Sequence, residues 1–389
     1  MTSIFRFSQN LLVSLAVFSL MSCALPNDGP AQNAAVLETK SSLSGPGEPT
    51  EIRVRTLLEW LQEPWGMDFL PDGRLLLTEK PGTMKLVTPG SWSTQEISGL
   101  PTVANEGQGG LMDVLVHPDF ERNQWVYFSY SVAVGDGFST RVSRGRLKNG
   151  ALVDVENLYT ARPAYRERRH FGSRLLLDGE HLYITVGDRG NRAAAQSLLS
   201  HAGKVIRLTQ SGGIPLDNPF VGQANALPEI FSYGHRNPQG IVRHPVTGGI
   251  WVSEHGPQGG DEINILRSGA NYGWPVITYG EEYGGGKIGE GTQKQGMEQP
   301  LIYYSPSLAT GGIAFYTEET YPGWGFSLLV SSMRLTRINR LELNTDDTIA
   351  GETRLLGDLG MRIRDVEVGP DGLIYALADR SRLILLEPR

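Results

Sequence analysis

From Glu51 to the C-terminus, apolar residues come in short runs, alternating with polar ones or unbroken, and Pro, Asp, Gly and Asn bound nearly every run. A period of two with such flanks predicts β-strands joined by tight turns, and helical spacing is scarce. One arrangement, a turn leading into an apolar strand, recurs. It reads Pro71-Asp-Gly-Arg-Leu-Leu-Leu-Thr-Glu79, then His117-Pro-Asp-Phe120 leading into Trp125-Val-Tyr-Phe-Ser-Tyr130, then Asp178-Gly-Glu-His-Leu-Tyr-Ile-Thr-Val-Gly187. It returns as His244-Pro-Val-Thr-Gly-Gly-Ile-Trp-Val-Ser253, Pro322-Gly-Trp-Gly-Phe-Ser-Leu-Leu-Val330 and Pro370-Asp-Gly-Leu-Ile-Tyr-Ala-Leu377.

Six starts, near 71, 117, 177, 244, 322 and 370, give units averaging about 50 to 60 residues, close to the size of a propeller blade. A four-stranded blade cannot bury both its faces alone, so blades stack around an axis and leave only short edges. The prediction is an all-β fold, a six-bladed β-propeller of four-stranded antiparallel blades spanning 51–389. The strand Arg382-Leu-Ile-Leu-Leu-Glu387 ends the chain, and Glu51-Ile-Arg-Val-Arg-Thr56 can pair with it to close the ring. A pair of β-sandwiches is the alternative, because Gly-turn hairpins occur there too.

The pattern changes before Glu51. Residues 1–22 hold Arg6 and no acid, with an apolar run from Leu11 to Met21 that is too short for a bilayer span and suits a signal-peptide core. It ends in Leu20-Met21-Ser22-Cys23, which resembles a bacterial lipobox. Cys23 is therefore expected to be acylated and to become the mature N-terminus, with 23–50 as a Pro, Gly, Ser and Asn-rich tether. Residue Ala24 is not the Asp that marks inner-membrane retention. The expected location is the periplasmic side of a bacterial membrane, the outer one, with the lipid as the membrane contact.

Composition narrows the functional classes. The chain of 389 residues is 40% hydrophobic and 20% charged, which excludes a disordered or coiled-coil protein, and its one Cys excludes a disulfide scaffold or zinc ribbon. A net charge of −7 with scattered Lys and Arg argues against a nucleic-acid partner.

Several polar, Gly-rich stretches are too specific to be blade filler. They are Asn105-Glu-Gly-Gln-Gly-Gly-Leu-Met112, Arg169-His-Phe-Gly-Ser-Arg174, Gly187-Asp-Arg-Gly-Asn-Arg192, Gly234-His-Arg-Asn-Pro-Gln-Gly240, Ser253-Glu-His-Gly-Pro-Gln-Gly-Gly-Asp-Glu-Ile-Asn264, Asn271-Tyr-Gly-Trp-Pro275 and Met361-Arg-Ile-Arg-Asp365. Each adjoins a repeated strand, so a propeller would bring them to one end of its axis. Together, and in this order, they resemble the glucose/sorbosone dehydrogenase family, aldose sugar dehydrogenases that use pyrroloquinoline quinone (PQQ) and calcium in a six-bladed propeller. The resemblance runs from Pro64-Trp-Gly-Met-Asp-Phe-Leu-Pro-Asp-Gly73 to Asp365.

That resemblance implies oxidation of an aldose at C1 to a lactone, with electrons passed to an acceptor the sequence does not identify. It makes His170 the general base, whose imidazole titrates in the right range, and Asp188 the carboxylate that holds its tautomer. It implies a cofactor set of Gln108, Arg236, Asn237, Arg334, Arg362 and Arg364. Arg362 and Arg364 alternate on a strand-like segment, so both guanidinium forks can face one carboxylate-rich ligand. It further implies one calcium ion on the backbone carbonyls of Gly256 and Pro257, and a structural one on the Glu262 carboxylate and the Tyr272 carbonyl. Arg169, Ala193 and His255 depart from glucose-selective relatives, which implies broad aldose specificity. A homodimer is an expectation by analogy alone. The competing functions are a calcium-dependent propeller lactonase, which would need no Arg pair for a tricarboxylate, and a non-catalytic binding propeller.

Overall fold

Each recurring sequence unit falls on the second strand of a four-stranded antiparallel sheet. The structure, a computed structural model, describes residues 51–389 and the backbone of Lys40–Ser41. The expected signal peptide 1–22, Cys23 and nearly all of the 23–50 tether lie outside the described residues. Six sheets form the six blades. Their second strands are Leu75–Glu79, Trp125–Val134, His181–Val186, Ile250–Glu254, Ser327–Ser332 and Ile374–Ala378. These strands read as apolar runs because both of their faces are covered. Leu75 and Leu77 pack into the layer between blades six and one, whereas Leu76 between them packs into the layer between blades one and two. Trp251 and Val252 divide in the same way between the layers on either side of blade four.

The core is therefore six interblade layers rather than one central mass. Truncating Leu76, which is fully buried, to Ala would cost about 2–5 kcal/mol through lost transfer energy and the cavity left behind. The ring closes as the sequence pattern predicts. Ile52–Leu58 forms the fourth strand of blade six beside Arg382–Pro388, with Val54 opposite Leu386. Arg53 Nε donates to Glu387 Oε2 at 2.9 Å across that seam. The backbone of Lys40–Ser41 pairs outside it, opposite Arg53 and Ile52.

The inner strands are Pro64–Phe69, Leu111–Val116, Leu175–Asp178, Pro238–Arg243, Thr310–Tyr316 and Ile363–Val368. Residues at or just before their starts line a cavity of about 260 Å³. The next positions along the same strands line a second axial cavity of about 180 Å³. Around the second one, inner strands are stitched to their neighbours. Asp68 accepts from the Val116 backbone N–H at 2.6 Å, Asp113 from that of Leu175 at 2.8 Å, and Asp365 from that of Met67 at 3.2 Å. Arg174 spans the axis to Asp113 at 2.9 Å and Asp365 at 2.8 Å.

Candidate active site

His170 lies in the loop that enters blade three, and its backbone has a positive φ of 54°. Its N–H donates to Gln108 Oε1 at 2.7 Å, so the Gly-rich loop ahead of blade two holds the residue in that strained conformation. The ring Nδ1 is 2.6 Å from Asp188 Oδ1. Asp188 follows the strand His181–Val186 and is 1% exposed. Its Oδ1 also accepts from the Gly190 backbone N–H at 2.7 Å, and its Oδ2 accepts from Trp274 Nε1 at 2.8 Å. With Nδ1–H donated to the carboxylate, the remaining nitrogen, Nε2, is left to accept a proton.

Burial lowers the pKa of His170 below the imidazole norm, the hydrogen bond it donates to Asp188 and the charge of that carboxylate oppose this, and the charges of Arg236 and Arg169 push it down again. Burial would raise Asp188, yet the His170 hydrogen bond and charge, the Gly190 amide and Arg236 hold it below the usual carboxylate range. The pair is thus a neutral imidazole against an ionised carboxylate at neutral pH. That is the state a general base requires.

The first axial cavity takes its walls from Trp65, Gln108, Phe171, Gly172, Asn237, Gln239, His255, Arg362 and Arg364 among others, so five of the seven stretches singled out in the sequence converge on it, and 187–192 and 271–275 do not line it. Arg362 stands one residue ahead of the strand Ile363–Val368, Arg364 falls at a register shift between Ile363 and Asp365, and both line the cavity. Among the described residues neither guanidinium has a carboxylate within ion-pair distance. Arg364 donates to Gln239 Oε1 at 3.2 Å and packs over Trp65, 5.7 Å from the ring centroid. Burial, and then the charges of Arg174 and Arg362, lower it to about 10. Two under-neutralised cations on one wall are what a polycarboxylate ligand would relieve.

Beside this cavity, Arg236, Glu254, His255, Gly256, Glu262, Tyr272 and Trp274 surround a narrow space of about 10 Å³. Gly256 donates its N–H to Asp261 Oδ1 at 2.9 Å, which folds the 256–260 loop back on itself. A Cβ at Gly256 would collide with the backbone of Gly259 and Gly260, so only glycine fits this turn. The carbonyls of Gly256, Pro257 and Tyr272 accept no hydrogen bond from the described residues. Glu262 lies opposite Glu254 on the adjacent strand, and Asn264 Nδ2 donates to both, at 3.1 and 3.2 Å. Burial, then the charge of Glu254, push Glu262 up to about 8. Gly256 and Tyr272 share this space with the two crowded carboxylates, and unpaired carbonyls with carboxylates are an oxygen-only donor set that fits a hard cation. No group of three or more His, Cys, Asp or Glu side chains converges among the described residues, so any ion here depends on those carbonyls.

The structure also separates residues that the sequence grouped. Arg334 is exposed, with its backbone N–H donating to the Leu308 carbonyl at 2.9 Å, and its neighbour Met333 lines the cavity in its place. Arg236 lies on the narrow space, with Nη1 donating to the His255 carbonyl at 3.2 Å. His170 and Asp188 are not among the residues lining this cavity, although His170 directly precedes Phe171 and Gly172, which do line it. Sequence reasoning assigned no role to Glu254, Gln239 or Trp274. Glu254 was detectable only through strand register, and Trp274 only as part of an unexplained Asn-Tyr-Gly-Trp-Pro stretch.

The Glucose / Sorbosone dehydrogenase family model matches residues 61–386. Aldose sugar dehydrogenase YliI of Escherichia coli (strain K12) is 40% identical over 350 residues, covering 88% of this chain and 94% of the relative. Quinoprotein glucose dehydrogenase B of Acinetobacter calcoaceticus is 26% identical over 417 residues, covering 84% and 85%. Among solved structures, the apo form of the soluble aldose sugar dehydrogenase from Escherichia coli superposes with a TM-score of 0.85 at 39% identity, covering 87% of this chain and 100% of that one. The PQQ-bound aldose sugar dehydrogenase from Streptomyces coelicolor gives 0.71 at 26% identity, covering 88% and 100%.

Proposed function

The chain belongs to the glucose/sorbosone dehydrogenase family of oxidoreductases, and on that premise we propose that it oxidises the C1 hydroxyl of aldose sugars to lactones with PQQ and calcium. The observation that carries this reading is a half-buried His170 bonded to the buried Asp188, adjoining a cavity whose wall bears Arg362 and Arg364 without carboxylate partners among the described residues. When bound, PQQ supplies the quinone that accepts hydride from C1, and calcium supplies Lewis acidity. His170 Nε2 takes the hydroxyl proton, and Asp188 keeps Nδ1 protonated and stabilises the imidazolium that forms. Arg362 and Arg364 would bind cofactor carboxylates, with Gln108 and Asn237 on the same wall and Arg236 alongside. The Gly256 and Pro257 carbonyls would hold the cofactor-side ion, and Glu262 with the Tyr272 carbonyl the structural one.

The test uses the soluble body from about Gly45, loaded with PQQ and calcium, and follows aldose-dependent reduction of an artificial dye. Turnover with several aldoses, lost in His170→Gln, is the expected result. No reduction with any sugar, or full activity in His170→Gln, would sink the proposal.

We also propose that acylated Cys23 holds the protein at the periplasmic face of the outer membrane. Palmitate labelling that persists in Cys23→Ala would contradict that. A homodimer, proposed by analogy, is settled by sedimentation of the soluble body.

A further inference from the structure

Trp274 is 4% exposed, in the loop between the third and fourth strands of blade four. Its backbone is pinned at both ends: its N–H donates to the Gly234 carbonyl at 2.8 Å, and its carbonyl accepts from Gln196 Nε2 at 2.8 Å. Its indole Nε1 donates to Asp188 Oδ2 at 2.8 Å, a contact between residues 86 positions apart. Asp188 Oδ1 is engaged by His170 Nδ1 and the Gly190 N–H, so the indole is the sole donor to Oδ2 among the described residues. The ring also carries two guanidinium groups. Arg236 and Arg192 each lie 5.3 Å from its centroid, and Arg192 Nη2 reaches Glu282 Oε2 at 2.8 Å.

We infer that Trp274 is a positioning residue: its N–H fixes the rotation of the Asp188 carboxylate, and thereby the His170 ring, while its face seats Arg236. The inference rests on the proposed role of His170. A carboxylate held at one oxygen can turn about Cβ–Cγ. Held at both, it presents Oδ1 to Nδ1 in one orientation, and an outer donor of this kind is worth about 10- to 100-fold in activity. Packing alone is the competing explanation, since the indole also contacts Ala195 and Ile288. The groups whose charge reaches His170 are Asp188, Arg236 and Arg169, and His255 lies within the same field. Of these, Trp274 touches Asp188 and Arg236.

The experiment is Trp274→Phe, which keeps a ring for packing and for Arg236 but removes the N–H. The expected result is kcat down about 10- to 100-fold at nearly unchanged KM for sugar. The acid limb of kcat/KM should move to higher pH, because a carboxylate that has lost a donor holds the imidazolium more tightly. In an Asp188→Asn background, Trp274→Phe should cost little more, because the two act as one unit. NMR titration of His170 in the apo protein should show the same upward shift, and this readout does not depend on turnover. An equal loss in the Asp188→Asn background, or an apo titration that superposes on the wild type, would overturn the inference. Should Trp274→Phe not fold, the wild-type indole N–H resonance decides: it should move on Asp188→Asn, and a stationary resonance refutes the contact. Activity that survives His170→Gln would defeat the functional proposal, while the apo titration would still report on Trp274.

Discussion

Glu254 and Glu262 face each other across two adjacent strands of blade four, with Asn264 Nδ2 donating to one oxygen of each. Two carboxylates crowded together in a half-buried site repel unless a proton or a cation lies between them. Calcium should therefore raise the thermal midpoint of the wild type, by about 2.7 kcal/mol of stabilisation at a hundredfold excess over Kd. Glu262→Gln should remove most of that response. Calorimetry with and without calcium checks it, and an undiminished shift in the variant would remove Glu262 from the ligand set.

His170 gives the turnover its pH dependence. Its pKa lies below the usual 6.5, chiefly through burial, so kcat/KM should rise with pH through a midpoint below that value as the imidazole loses its proton. His170→Gln should lower activity about 10²- to 10⁴-fold. Arg169 is exposed, and its charge disfavours the imidazolium. Reversing it in Arg169→Glu should move the midpoint to higher pH, and an unmoved or lowered midpoint would contradict the electrostatic assignment.

Arg362 and Arg364 test the cofactor site. A hydrogen bond to a charged group contributes about 1.5–3 kcal/mol, so each Arg→Ala change should weaken PQQ binding about 10- to 150-fold. Titration calorimetry on the apo protein measures this directly. Affinity within threefold of wild type in the double variant would place the cofactor elsewhere.

The second axial cavity predicts how stability varies with pH. Burial raises Asp68 to about 7 and Asp113 to about 6, and burial with the charges of Asp365 and Asp68 raises Glu367 well above its ordinary value. A carboxyl group raised in the folded state favours folding while protonated. Its contribution is present below the unfolded pKa, near 4, and is lost as pH climbs through the folded value. Urea midpoints should accordingly fall as pH rises from about 4 through about 7. Glu367→Gln, which is neutral throughout, should flatten that fall, and a slope identical to wild type would rule out Glu367 as a contributor.

The six second strands were readable because a strand covered on both faces must be apolar at nearly every position, and that leaves a mark in a short window. The inner strands left a weaker one. Their starts carry Gly, Gln and Arg for the axial cavity, as in Arg362-Ile-Arg364, and so do not resemble core strands. His170, Asp188 and the Gly256-Pro257 turn were recognisable as motifs through family resemblance, because each site residue sits in a distinctive local stretch. The resemblance put Arg334 in the cofactor set as well, and in the fold its side chain is exposed and is not among the residues lining the cavity.

Local residue chemistry thus set the strands, the turns, the closing seam between Ile52–Leu58 and Arg382–Pro388, and the inventory of groups able to move a proton or bind an anion. Which of those groups meet was settled by the closed ring. Trp274 reaches Asp188 only because blades three and four stack side by side, and Glu254 meets Glu262 only because strand register places them opposite. Contacts of that kind depend on distances through space between residues far apart in the chain, and no periodicity in a single window encodes them.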